Sequence, residues 1–451
     1  MKKIDVLILY EHPERELENI LLLMHELEKR KLKCELLQVP VNLFLRNKYY
    51  NKVKTVLVPY MYYNEDLYYG VYKIVGEASY IINFRWEQVL SVGVENDNDA
   101  FWYPKQEAIN TKHICWGMIP YQRMLECGVQ ESNLFVSGAL HLDFLRDKLK
   151  KYYKEKDDIY EEFGLDIQNK TILFISSFSS ANLSEDRFEH LKMVMGEKEA
   201  KEFISVSVNS QKKILEWFEV LLRKGYTIIY RPHPSEIKSE FVNRYKEQYS
   251  NFKVISEYSV KQWILVSDFV LSWISTSYVE AYVANIPCGI LRPVKLSENR
   301  EMTVLKTVKK IDSYDKLEEF ITETKDVEKN DLVEKYYQID DQYAYIKIAD
   351  YIEKIINNPK ECYIWPREIV QEFSIRRKNY LKDSSRLKIV QILYSLISFF
   401  YLTESSNHFI EKIVKYYSDV KKDIEMQEQK KNNILNKEIE YIKGKLAEIL
   451  D

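Results

Sequence analysis

Two successive series of short β-branched runs, alternating with helix-period segments from residue 4 to residue 292, constrain this chain more than any other feature. A parallel strand needs a crossover before its neighbour can pair with it, and that crossover is usually a helix, so the alternation predicts two doubly wound α/β sheets. In the first series the strand candidates are residues 4–9, 34–39, 55–59, 80–84 and 134–137. Between the first two, Leu17, Ile20, Leu21, Met24 and Leu27 recur at helical spacing within 16–31. The second series runs through 171–176, 227–231, 253–256, 269–273 and 289–292, with a helix expected over 211–224. Lys, Glu, Asp and Tyr dominate 144–169, which reads as an exposed helix and linker. The expected organisation is therefore a first Rossmann-like domain over 1–150, a second over 168–330, crossover helices over 331–365 and a helical tail over 366–451. A chain of 451 residues is long enough for two cores.

Both halves lack the usual phosphate-binding glycines. Gly occurs only 11 times, and neither G-x-G-x-x-G nor G-x-x-x-x-G-K-[ST] is present, which disfavours dinucleotide oxidoreductases and P-loop NTPases. Any phosphate must be held by other groups. A net charge of −3 argues against a nucleic-acid partner, and the five Cys residues form no C-x-x-C pair, so neither a zinc ribbon nor a disulfide framework is expected. Glu11, Glu14 and Arg15 interrupt the first apolar run too early for a signal-peptide core, and a cytoplasmic location is expected.

Two segments carry the chemistry. In Tyr226-Thr-Ile-Ile-Tyr-Arg-Pro-His-Pro-Ser-Glu236 a strand stops at Pro232 and delivers Arg231 and His233 at its carboxyl end, stiffened by two prolines. A guanidinium offers forked donors to phosphate oxygens, and an imidazole can stabilise a departing one. The alternative is a plain strand-ending turn with Arg231 in a surface ion pair. In the second segment, 268–281, a strand leads into Ser275, Thr276 and Ser277 and then a helix start, where hydroxyls, unpaired N–H groups and the helix dipole favour an anion. Glu280, one turn on, is either a ligand for ribose hydroxyls or the acidic member of a capping box with Ser277. A general base is expected from the first domain, with Glu11, His12, Glu14 and Glu87 as candidates at strand ends. Asp97-Asn98-Asp99 matches the letters of a metal-binding D-x-D but lies in a polar stretch, and no obligatory metal or other cofactor is predicted.

The tail differs in kind. Residues 374–388 carry six basic side chains against Asp383 alone and abut the apolar run 389–402, a pattern suited either to an interfacial helix on an anionic membrane surface or to a helix packed on the body. Leu435, Ile439, Ile442, Leu446 and Ile449 follow a heptad-like spacing that admits homo-oligomerisation.

The segments Asn83-Phe-Arg-Trp-Glu-Gln, Cys115-Trp-Gly, Gly128-Val, Ser137-Gly-Ala-Leu-His-Leu-Asp143, 172–182, Arg231-Pro-His-Pro-Ser-Glu236 and 275–281 together resemble bacterial surface-carbohydrate biosynthesis proteins, transferases of GT-B type, over residues 1–360. The Arg-x-His-Pro element and the Ser/Thr turn are also similar to those of CDP-glycerol glycerophosphotransferases and, more distantly, of Kdo- and sialic-acid-type transferases. This resemblance implies a GT-B fold and a nucleotide-activated sugar donor of CMP or CDP type. It also implies a glycan or lipid-linked acceptor and phosphate handling at His233, Ser275 and Thr276; Arg231, Glu236, Ser277 and Glu280 complete the expected donor contacts. Where relatives have T-G-x-P-x-x-D, this chain lacks the proline, which leaves His141 and Asp143 either functional or simply structural. Glycosyl transfer is the leading expectation; CDP-alditol phosphate transfer, a non-catalytic scaffold and an epimerase are the alternatives.

Overall fold

The computed structural model describes residues 4–39, 48–97, 102–237, 239–324, 326–381 and 434–450. The first sheet comprises β1 (Ile4–Tyr10), β2 (Cys34–Gln38), β3 (Val53–Val58), β4 (Tyr80–Asn83), β5 (Lys112–Cys115) and β6 (Leu134–Val136), in the order β2-β1-β3-β4-β5-β6. The second comprises β7 (Thr171–Ile175), β8 (Thr227–Arg231), β9 (Phe252–Val254), β10 (Phe269–Ser272), β11 (Cys288–Leu291) and β12 (Lys310–Ile311), in the order β12-β11-β10-β7-β8-β9. Every pairing is parallel. Parallel sheets are covered on both faces, and the central strands accordingly read as near-continuous apolar runs, as in β7 with all five residues buried.

Each sheet has a core on either side. One face of the first sheet packs on the helix Pro13–Lys29 through Leu17, Ile20, Leu21, Met24 and Leu27, joined by Ile348, Ala349 and Ile352 of the helix Ala344–Ile356. That helix comes from beyond the second sheet and so ties the chain back onto its first half. Asp143 fixes its start: the carboxylate accepts the N–H groups of Ala344 (3.0 Å) and Tyr345 (2.8 Å), two of the amides a helix leaves orphaned. Asp143 is thus a remote helix cap.

Several expectations are corrected. Residues 144–169 are not an exposed linker: Tyr152 and Tyr153 are buried in the first half's core and Ile159 and Tyr160 in the second's, because the charged side chains alternate with apolar anchors at helical spacing. The heptad-like seam of the tail is occupied within the chain. In the helix Ile434–Leu450, Ile442 and Leu446 are buried against the core around Pro13–Lys29, and Lys445 Nζ donates to the Tyr152 carbonyl (2.7 Å), so these side chains are not available to a second copy. The helix at 367–381 also packs on the first half, with Phe373 against Tyr68 and Tyr72 and Arg376 paired to Glu65 (2.7 Å). Residues 382–388 of the basic stretch, with three of its six basic side chains, and all of the apolar run 389–402 lie outside the described residues, as do Asn98 and Asp99. No helix among the described residues is long and apolar enough to cross a membrane. The strands β5 and β12 carry no strong sequence signal: β5 is Lys-His-Ile-Cys and β12 only two residues long.

The two halves also touch beside the cleft. Ser91 and Met302 form an antiparallel bridge, framed by Val92 N–H to the Glu301 carbonyl (2.9 Å) and Thr303 N–H to the Leu90 carbonyl (3.1 Å).

Candidate active site

In an open parallel sheet, ligands sit beyond the carboxyl ends of the strands where the strand order reverses. In the second sheet that switch falls between β7 and β10, the strands that precede Ser176-Ser177 and Trp273–Ser277. In the first it falls between β1 and β3, the strands that precede Glu11-His12 and Tyr60. The order β10-β7-β8 then brings the hydroxyl turn, Ser176-Ser177 and Arg231 to one edge.

The turn is built by its own side chains. Ser275 Oγ accepts the Ser277 N–H (3.1 Å), and Ser177 Oγ accepts that of Ile274 (3.2 Å), before the helix Ser277–Ala284 begins. Thr276 donates neither its N–H nor its hydroxyl to any described residue. The capping-box alternative for Ser277 and Glu280 does not form: the N-cap residue is Thr276, the Ser277 N–H goes to Ser275 Oγ, and Glu280 accepts a hydrogen bond from the Ser277 side chain. Glu280 keeps some exposed surface but is enclosed by the two halves. Burial raises its pKa, opposed by Lys261, the Ser277 hydroxyl and Arg231, and reinforced by Glu18.

Arg231 ends β8 and is not in a surface ion pair. Its Nη1 and Nη2 donate to the carbonyls of Glu257 (2.9 Å) and Tyr258 (2.5 Å), leaving further guanidinium hydrogens unused. Burial lowers its pKa to about 10, with Glu257 and Glu280 opposing. His233 is held through Nδ1, which accepts the Ser235 N–H (3.2 Å) and lies 2.7 Å from Ser235 Oγ. Its neutral form therefore carries the proton on Nε2, pointing outward as a donor. Burial lowers the His233 pKa; Arg15 and Arg187 add to the effect and Glu236 resists it. Glu236, expected on the donor, has its carboxylate engaged within the protein by Tyr230 Oη (2.6 Å), Ser176 Oγ (2.5 Å), Gln211 Nε2 (3.5 Å) and the His233 N–H (3.3 Å). It anchors the Pro-His-Pro turn to β7, β8 and the helix Glu197–Arg223.

Across the cleft, Glu87 follows β4 and meets Arg15 Nη1 (3.3 Å), whose charge reaches His233. Glu11 lies beside His12 (3.6 Å) and its N–H is held by Glu16 (2.8 Å), whereas Glu14 is exposed on the first turn of Pro13–Lys29. Sequence reasoning missed the cleft floor. Lys261, on the helix Val260–Val266, donates to Glu18 Oε1 (2.5 Å) and Asn19 Oδ1 (3.1 Å) of the opposite half, and Glu18 also accepts from Tyr153 Oη (3.0 Å). The available signal was Glu16 and Asn19 on the apolar face of an amphipathic helix, and Lys261-Gln262 inside an apolar run. Among the described residues no three His, Cys, Asp or Glu side chains converge as metal ligands.

Two facing parallel sheets with their switch points on one cleft and a helix crossing back define the GT-B architecture. The fold is similar to that of a variant of the wall teichoic acid polymerase TagF, with a TM-score of 0.52 and 11% identity over 79% of this chain and 90% of that one. It is also similar to the UDP-GlcNAc 2-epimerase of Methanocaldococcus jannaschii, with a TM-score of 0.50 and 14% identity over 77% of this chain and 100% of that one. No family model and no curated protein sequence matches the chain. At such identities the likeness is one of fold.

Proposed function

We propose that this protein is a glycosyltransferase that takes a sugar from a nucleotide-activated donor and passes it to a surface glycan or lipid-linked acceptor. One observation carries the reading: at the switch point of the second sheet, the uncommitted N–H and hydroxyl of Thr276 stand at a helix start on the strand edge that also bears Arg231 and the outward Nε2 of His233. These groups suit the phosphates of the donor, with the N–H groups and helix dipole binding the charge and His233 Nε2–H meeting the oxygen of the departing group. Glu280 would take ribose hydroxyls. Glu87, held by Arg15 on the facing edge, is the favoured base for the acceptor hydroxyl, ahead of Glu11 and Glu14. A CMP-activated acidic sugar is the favoured donor, and the setting is the cytoplasmic face of the membrane.

The fold likeness to TagF motivates a second reading, transfer of glycerol or ribitol phosphate from a CDP-alditol. Product mass separates the two, because only the second adds phosphorus to the acceptor. Under either reading CDP or CMP raises the melting temperature, and His233→Ala abolishes turnover in a folded protein. Unchanged turnover in His233→Ala refutes the role given to that residue.

A further inference from the structure

Two histidines of the first half are handled in opposite ways. His113, wholly buried in β5, is satisfied: its ring nitrogens meet Asn83 Nδ2 (3.2 Å), Thr111 Oγ1 (3.2 Å) and the Ala108 carbonyl (3.0 Å). His141 follows β6 on the 3-10 turn Leu140–Leu145 and makes no hydrogen bond to any described residue. Aromatic rings hold it instead. Trp116, just past β5, lies 4.8 Å away at 60°, and Tyr337, at the end of the helix Asp331–Tyr337, lies 6.1 Å away at 75°. Trp116 and Tyr337 stack on each other at 5.3 Å.

The setting is the cleft floor. The turn bearing His141 packs against the helix Ser277–Ala284, which starts at the hydroxyl cluster and carries Glu280. The ring keeps part of its surface open, and burial together with the Lys261 ammonium lowers its pKa to about 3, so it is a neutral donor and acceptor throughout the physiological range. The ring nitrogens of His141 are not sealed off, so an imidazole fixed in orientation and unbonded within the protein is free to bond a group that enters the cleft. The ring's own state says which kind: a neutral imidazole suits a hydroxyl better than an anion, while Trp116 and Tyr337, themselves buried, hold it in place.

We infer that His141 is a substrate-contacting residue whose ring, held by Trp116 and Tyr337, hydrogen-bonds a hydroxyl of the polyol part of a bound nucleotide donor. The inference rests on the donor reading above. The hydroxyl has two sources, the ribose and the transferred unit, and the test separates them.

CDP and CDP-glycerol are titrated calorimetrically into the full chain, unchanged and as His141→Leu and His141→Gln. Losing one such hydrogen bond weakens binding about tenfold. Equal weakening of both ligands in His141→Leu identifies the ribose, weakening of CDP-glycerol alone identifies the transferred unit, and partial recovery in His141→Gln supports either. Undiminished binding of both by His141→Leu overturns the inference and leaves the donor reading intact. Failure of the unchanged protein to bind either nucleotide overturns the donor reading and this inference with it. Should His141→Leu not fold, ring-nitrogen NMR of the unchanged protein decides: CDP-glycerol must shift the His141 resonances and leave those of His113 in place, and an unmoved His141 signal refutes the contact.

Discussion

Replacing Lys261 by Met removes one half of a buried ion pair that joins the two domains beneath the cleft. Lys261 and Glu18 have side chains only 5% and 13% exposed, so neither charge is well hydrated. With Lys261 gone, Glu18 retains Tyr153 Oη, and Asn19 Oδ1 loses its donor while Asn19 Nδ2 still meets the Arg15 carbonyl (2.7 Å). Breaking a buried pair costs about 3–5 kcal/mol, and the surviving tyrosine hydroxyl places this one at the low end, about 3 kcal/mol. Urea unfolding followed by tryptophan fluorescence is well suited to the measurement, because Trp263 is fully buried on the same helix. The double variant Lys261→Met/Glu18→Leu should recover most of the loss, since the carboxylate paired directly to Lys261 is removed as well. A loss below about 1 kcal/mol for the single variant, the size of an exposed pair, or simple additivity in the double variant, would refute the reasoning.

Ser275→Ala deletes the acceptor for the Ser277 N–H and should destabilise the second domain by about 1 kcal/mol in chemical unfolding, while weakening CDP measured by calorimetry. Asp143→Ala strands the N–H groups of Ala344 and Tyr345 and should cost about 2 kcal/mol, visible in hydrogen exchange as early loss of protection in the helix Ala344–Ile356. For Glu280 the sign follows from its raised pKa: the folded state holds the proton to a higher pH than the unfolded chain does. Its contribution to stability is therefore full below the ordinary carboxylate range and disappears as pH rises through the folded value. Glu280→Gln should accordingly stabilise the free protein at neutral pH and flatten its stability profile in that window. It should also weaken nucleotide binding; an unchanged pH profile counts against the burial argument.

Much of this molecule was legible in the sequence, for a physical reason. Parallel strands covered on both faces must be apolar along their whole length, so β1, β3, β7, β8 and β10 stood out, and Pro232 marked the end of β8. β5 did not, because its Lys112 is paired to Glu361 and its His113 is satisfied internally, two long-range arrangements that no local pattern encodes. The same limit governs the site. Arg231 and the Ser275–Ser277 turn are local features and could be read from short segments. Glu236 looked like a ligand because a carboxylate beside Arg231 and His233 carries no sign of the Tyr230, Ser176 and Gln211 partners that engage it. Lys261, Glu18 and His141 are separated by more than a hundred residues and become a floor only when the two sheets face each other.

The return of the helix Ala344–Ile356 and of residues 434–450 onto the first sheet has a consequence for synthesis. Ile348, Ile352, Ile442 and Leu446, with their neighbours Tyr345, Ala349, Ile355 and Ile356, complete a core whose remaining buried members lie between Val6 and Tyr153. While the ribosome is still making the second domain, the face beside Pro13–Lys29 lacks its cover. The amino-terminal half therefore waits for partners encoded hundreds of residues downstream, a high-contact-order step that comes late in folding. Destabilising substitutions in that cover should lower the yield of folded chains more than they lower the stability of chains already folded.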